Sequence, residues 1–205
     1  MEPLEIEIKF YLTAVDPVRE ALLQLGATAQ PRVFETNVRY EDATESFVGK
    51  KMLLRLRTDR KTTLTLKRPP LEADIRFKIH RELEVEVGDF DAMDRILRGL
   101  GFHRAQCYEK WRQTLSLDDT LFCIDTLPFG DFLEIEGTKT AIPEMARRLG
   151  LPWERRILYN YLEIFDAIKR ECNLPFTDVT FANFKHITFD MEPYRHRFET
   201  GGVSL

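Results

Sequence analysis

The chain lacks what would staple it, anchor it in a bilayer or cradle a phosphate by backbone alone. Its three cysteines, Cys107, Cys123 and Cys172, are odd in number and without metal-ligand spacing. That excludes a disulfide framework and a cysteine zinc site, favours a reducing, cytoplasmic setting, and leaves the thiols as small buried side chains. The histidines, His80, His103, His186 and His196, show no ligand spacing either, so none is given a metal or general-base role. No apolar run reaches the length of a membrane span, and residues 1–10 alternate charged and apolar side chains instead of forming a secretory signal. A net charge of −4 excludes the basic surface of a nucleic-acid binder, so any anionic ligand must meet a local cluster of cations. The loop G-x-x-x-x-G-K-[ST] is missing as well, and a phosphate would have to be held by side chains.

What is present is a chain of 205 residues with 43% hydrophobic side chains, enough for one domain with a real core. Alternation of apolar and polar residues predicts eight short strands, over 4–11, 38–41, 52–57, 62–68, 75–87, 108–115, 121–125 and 132–137. Eight short strands in succession suggest a barrel or a sandwich. Helical spacing appears over 17–25 and 90–100, each stretch closed by a glycine, and again over 143–149 and 156–171. Leu-Gly-Ala at 25–27 is echoed by Leu-Gly-Phe at 100–102, a weak repeat that suggests two similar halves. The main domain is placed at 1–170, and the tail over 171–205 carries aromatic residues without readable periodicity.

In a strand, side chains two apart share a face. Glu5, Glu7 and Lys9 therefore lie opposite Leu4, Ile6, Ile8 and Phe10. Arg55 and Arg57 oppose Leu54 and Leu56, and Thr63, Thr65 and Lys67 oppose Leu64 and Leu66. Arg76, Lys78, His80, Glu82, Glu84 and Glu86 form the longest row, followed by Lys110 and Arg112 and then by Glu134 and Glu136. Any one such row reads most simply as a solvated face of a sheet. Nearly every strand repeats it, however, with few of the neutral polar residues that solvated faces carry, and together the rows describe one charged interior. Carboxylates gathered there raise one another's pKa, so Glu5, Glu7, Glu134 and Glu136 imply a bound cation, and an all-oxygen set suits Mg²⁺ or Mn²⁺. The facing lysines and arginines then need an anion that also ligates the metal, and a chain of phosphates satisfies both.

These residues resemble the CYTH family of triphosphate tunnel metalloenzymes. The resemblance rests on Glu5-Ile6-Glu7-Ile8-Lys9, Leu54-Arg55-Leu56-Arg57, Leu64-Thr65-Leu66-Lys67, Glu82-Leu83-Glu84-Val85-Glu86, Lys110-Trp111-Arg112, and Asp125 followed by Gly130-Asp131-Phe132-Leu133-Glu134-Ile135-Glu136. It implies an α+β protein built on a closed eight-stranded antiparallel β-barrel, or tunnel, with flanking helices. Glu5, Glu7, Asp125, Glu134 and Glu136 would bind metal, and Lys9, Arg55, Arg57, Lys67, Lys110 and Arg112 would clamp a triphosphate. Glu5, Glu7, Lys9 and Glu134 carry the catalytic role. Glu84 and Glu86 would position a water or balance the clamp. Arg76, Lys78 and His80 are read as rim or solvent residues, and Tyr159 and Tyr161 as packing residues. The family includes hydrolases of tripolyphosphate or thiamine triphosphate and class IV adenylyl cyclases. Hydrolysis of a triphosphate is preferred here, with cyclisation of ATP and a non-catalytic polyphosphate or nucleotide sensor as alternatives. The implied partners are the small triphosphate and a second copy of the chain, with no nucleic acid and no membrane.

Overall fold

The computed structural model describes residues 3–201. Nine strands are present among them: β1 (Leu4–Leu12), β2 (Thr28–Ala29), β3 (Val33–Glu41), β4 (Leu53–Thr58), β5 (Thr62–Arg68), β6 (Lys78–Val87), β7 (His103–Leu117), β8 (Thr120–Leu127) and β9 (Gly130–Glu136). The helices are α1 (Asp16–Gln24), α2 (Ser46–Gly49), α3 (Phe90–Gly99), α4 (Ala141–Arg148), α5 (Tyr161–Cys172) and α6 (Phe181–Phe184). The sheet runs β7-β3-β4-β5-β6-β1-β9-β8, and β8 pairs back onto β7, which closes an eight-stranded antiparallel barrel. The short β2 adds to the far end of β7. This is the expected α+β tunnel. Among the described residues no helix is long and apolar enough to cross a membrane.

Several boundaries differ from the sequence reading: the strand expected over 108–115 runs from His103 to Leu117, the short β2 was not expected, and the helix expected from 156 begins at Tyr161. The strand expected from 75 begins at Lys78, because the Asp74 carboxylate accepts from the backbone N–H groups of Arg76 and Phe77 and turns the chain there. The strand expected from 38 begins at Val33, where Glu35, Thr36 and Asn37 put polar side chains on both faces and obscure the alternation. The repeat is real in outline, since β1-α1 and β6-α3 each lead into long strands. Both helices end on a glycine in the left-handed region, Gly26 at φ 93° and Gly101 at φ 94°. In each cap the next residue donates back into the last turn, Ala27 to Leu22 and Phe102 to Leu97, both at 3.0 Å, which only a residue without Cβ permits cheaply.

The apolar cores lie outside the barrel. One packs α1 and α4 on Ile8, Phe10, Phe122, Leu133 and Ile135, and a second packs α3 on Val38, Tyr40, Leu54 and Leu56. The third joins α5 to Val179, Phe184, Met191 and Phe198 of the C-terminal segment. That segment also mends two open strand edges. β1 pairs with β6 only from Leu4 to Glu7, and Ile157 takes the vacant edge at Lys9 through two backbone hydrogen bonds of 3.1 and 2.7 Å. β7 meets β8 only from Trp111 onward, and Val179 bonds to Cys107 and Glu109 on the edge left open. A hydrogen-bonded box of Asn160 and Glu163 starts α5 where it must turn over the barrel.

Candidate active site

With the apolar side chains turned outward, the barrel is lined by ions. Each lining row comes from strand alternation, so its position is fixed by ladder register: Glu5 faces His80, Glu7 faces Lys78 and Glu136, Lys9 faces Glu134, Lys67 faces Glu82, and Glu35 faces Lys110. Exposure is graded along the tunnel, from 0% for the side chain of Asp125 and 3% for Lys110 to 41% for Glu84 and 63% for Glu86. One end is sealed and the β5–β6 end is an open mouth.

The sealed end is built around Asp125. Its Oδ1 accepts from Arg112 Nε at 2.6 Å, and its Oδ2 accepts from Lys110 Nζ at 2.9 Å, from the Tyr161 hydroxyl at 2.8 Å and from Arg112 Nη2 at 2.5 Å. Arg112 also bonds Glu134, which meets Lys9 Nζ at 2.8 Å, and Lys9 lies 4.4 Å from the centre of the Tyr161 ring. Burial alone would raise the Glu134 carboxyl, but Lys9, Arg112 and Lys110 hold it well below the usual range. Glu35 is likewise held at about 2, against its burial, by Lys110 and Arg112. Tyr161 is therefore the lid of this end as well as a packing residue.

Toward the mouth, two rows of donors cross the barrel wall. Arg39, Arg55 and Thr65 are register neighbours on β3, β4 and β5, and Asn37, Arg57 and Thr63 form the adjacent row. Arg55 is held by the Tyr108 hydroxyl and Thr65 Oγ1, each at 3.3 Å, and lies 3.6 Å from Glu84, whose carboxylate accepts from Thr65 at 2.7 Å. Arg39 Nε, Arg55 Nε, Arg57 Nε, Asn37 Nδ2 and Thr63 Oγ1 are buried and have no hydrogen-bond partner among the described residues. Buried polar groups are nearly always bonded, and each left unmade costs about 1–3 kcal/mol. Five such donor atoms stand together in two adjacent rows.

Between the two regions lies an acidic corner. Lys78 pairs Glu7, and Lys67 bridges Glu5 and Glu82, the latter at 3.3 Å. Glu7 is thereby held at about 2 despite burial. Among the described residues Glu136 has no such partner: burial and the neighbouring Glu5 and Glu7 push its carboxyl up to about 7. Glu82 is also raised to about 7, by burial and by Glu5 and Glu84, in spite of Lys67. The lysines thus do much of the neutralising that the sequence reading gave to a metal. Even so, a surplus of carboxylate remains at Glu136, where a divalent ion would relieve the repulsion, so the donor set fits a cation. Among the described residues no group of three ligands already stands at metal-binding distance.

The structure brings Glu5, Glu7, Glu136, Lys9, Glu134, Arg55, Arg57, Lys67, Lys110 and Arg112 into one tunnel, with Asp125 buried at its sealed end. Glu84 lies at the mouth, and Glu86 is exposed beside it, paired with Lys61 at 3.0 Å. Lys78 and His80, expected at the rim, are tunnel residues because the register sets them against Glu7 and Glu5, whereas Arg76 is exposed. Glu35, Asn37, Glu82 and Tyr108 were missed. Glu82 was legible as a member of the β6 row, and Glu35 and Asn37 required the full length of β3. Of the cysteines only Cys123 is buried, facing Glu134 inside the tunnel, and Cys107 and Cys172 are half-buried.

The profile of the CYTH domain matches residues 3–147. Among solved structures, the PH1012 protein of Pyrococcus horikoshii OT3 is 29% identical, superposes with a TM-score of 0.66, and matches over 78% of this chain and 98% of its own. A protein of Vibrio parahaemolyticus, assigned provisionally as an adenylate cyclase, is 20% identical with a TM-score of 0.70, covering 81% of this chain and 99% of its own. HpAC1 of Hippeastrum, provisionally an adenylyl cyclase and described as revealing a dominant triphosphatase activity, is 17% identical with a TM-score of 0.58, covering 80% and 95%. No curated protein sequence matches. Enzymes of this family generally use divalent metals. With its profile matched over more than half its length and its barrel closed in the order described, the chain belongs to the CYTH domain family.

Proposed function

We propose that the protein is a metal-dependent triphosphatase that binds a triphosphate in the barrel and releases its terminal phosphoryl group. The observation that carries this reading is the double row of buried, unpartnered donors on β3, β4 and β5 beside a corner with surplus carboxylate. A phosphate chain completes the first, and a divalent ion completes the second. Arg55 and Arg57 bind the phosphate oxygens, and Tyr108 and Thr65 hold the Arg55 guanidinium in place for that contact. Lys9 and Lys67 add positive charge along the same path, and Arg112 and Lys110, already bound to Asp125, stabilise charge that builds up near the sealed end. Glu5, Glu7, Glu134 and Glu136 would hold Mg²⁺ or Mn²⁺; Asp125, read from the sequence as a fifth ligand, has both oxygens taken by Lys110, Arg112 and Tyr161 and would instead fix those side chains in place. When bound, such an ion polarises the phosphoryl oxygens and lowers the pKa of a water. The lid of Tyr161 limits water at that end.

The test is phosphorus NMR of the products from tripolyphosphate, thiamine triphosphate and ATP, each with Mg²⁺ and with Mn²⁺. Orthophosphate is the expected product. Pyrophosphate together with 3′,5′-cyclic AMP from ATP would replace this reading with the cyclase, and tight binding without turnover would replace it with a sensor.

A further inference from the structure

We infer that His80 supplies a nitrogen ligand to the divalent ion of the acidic corner, so that the protein prefers Mn²⁺ or Co²⁺ to Mg²⁺. This rests on the triphosphatase reading, which is what calls for an ion there. His80 stands opposite Glu5 in the β1–β6 ladder, and its Nδ1 lies 3.9 Å from Glu5 Oε2. That separation is too long for a hydrogen bond, but two donors bonded to one ion at about 2.1 Å each are kept about 3–4 Å apart. The same nitrogen is buried without a hydrogen-bond partner among the described residues, an arrangement that buried imidazoles normally avoid. The charged groups facing it are Glu5, Glu7 and Lys9 from β1, Lys67 from β5 and Lys78 on its own strand; Lys67 bonds the same Glu5 oxygen, so an ion held there takes the place of that ammonium. His103, His186 and His196 are exposed on the outside of the molecule, which leaves His80 as the histidine directed to this site.

Mn²⁺ accepts an imidazole beside its oxygen ligands and Co²⁺ binds one more strongly, whereas Mg²⁺ takes oxygen ligands and keeps its waters. With His80 beside Glu5, the ion would take mixed oxygen and nitrogen ligands, unlike the all-oxygen set read from the sequence. The ring also sits on the regular part of β6, so it is positioned by the ladder and not by a mobile loop.

The experiment is electron spin-echo envelope modulation on protein loaded with Mn²⁺ alone, prepared once with natural-abundance histidine and once with ¹⁵N-histidine. The expected result is a nitrogen modulation that changes with the isotope. The wild-type comparison needs no variant, so a misfolded mutant cannot obscure it. His80→Gln should abolish the modulation and weaken Mn²⁺ relative to Mg²⁺ about tenfold, with His103→Gln as the unaffected control. Failure of the wild type to bind Mn²⁺, a spectrum without nitrogen, or a nitrogen signal that survives His80→Gln would each overturn the inference. Tripolyphosphate turnover on the same samples separates the two readings. Turnover with a nitrogen-free spectrum overturns the role of His80 alone, and loss of turnover with every metal overturns the triphosphatase reading and this inference with it.

Discussion

The two ends of the tunnel use the same side chains under opposite conditions. At the sealed end Asp125 accepts four hydrogen bonds, and Glu134 and Glu35 are held ionised by Lys9, Lys110 and Arg112. Nearer the mouth Glu136 and Glu82 are driven toward the neutral form, and the Nε atoms of Arg39, Arg55 and Arg57 and the Asn37 amide have no hydrogen-bond partner among the described residues. Interior charge is therefore of two kinds: a saturated network that holds the barrel together, and an unsaturated one with donor atoms to spare. The burial of a charge does not distinguish them; the number of partners does.

The largest effect that would break this comparison is at Asp125. Asp125→Ala leaves Lys110 and Arg112 buried with one counter-charge fewer, and should cost about 3–5 kcal/mol of stability in denaturant unfolding. Glu84→Ala, at a site 41% exposed, should cost less than about 1 kcal/mol. Equal losses would mean that the two ends are alike. Next in size, Arg55→Ala should weaken the contact with triphosphate by about 2 kcal/mol, read as a rise in KM of roughly thirtyfold, and an unchanged KM and kcat would remove Arg55 from the clamp.

The smallest effect is the pH dependence. Glu136 keeps its proton in the folded barrel up to about 7, while the unfolded chain releases it near the ordinary value of 4.5, so this group lowers stability as pH rises from 4.5 to about 7. Glu136→Gln should flatten that part of the stability curve, and a curve unchanged by the substitution would show that Glu136 is not crowded by Glu5 and Glu7. Glu7 and Glu35 act in the opposite sense, since their stabilisation is present above 4.5 and is lost as pH falls toward about 2.

Much of this was legible because strand parity is an unforgiving code. Once Glu5, Glu7 and Lys9 share a face, the register carries Arg55, Lys67 and Glu134 to the same interior. Parity also put Lys78 and His80 on that face, but their place within the tunnel depends on which residues they meet across the ladder, and that is set by the offset between β1 and β6. Asn37 was hidden by its polar neighbour Thr36. The single-residue bridges of Ile157 and Val179 have no period at all, so the part played by the C-terminal segment could not be read. Crowded carboxylates do not by themselves require a metal, because Lys67 and Lys78 are near enough to answer most of the charge.

The seam at Ile157 bears on how the chain is made. Lys9 bridges to Ile157, and Ile157 bridges in turn to Glu199, so the edge of β1 is completed by residues far along the chain. A nascent chain leaving the ribosome can assemble the β3–β4–β5 meander from neighbouring segments, but it must keep the edge of β1 open until Ile157 and Glu199 have emerged. Contacts of such sequence separation are slow to form, and open strand edges invite pairing with other chains. The end of the tunnel that is most firmly sealed in the finished protein is thus the last to close during synthesis.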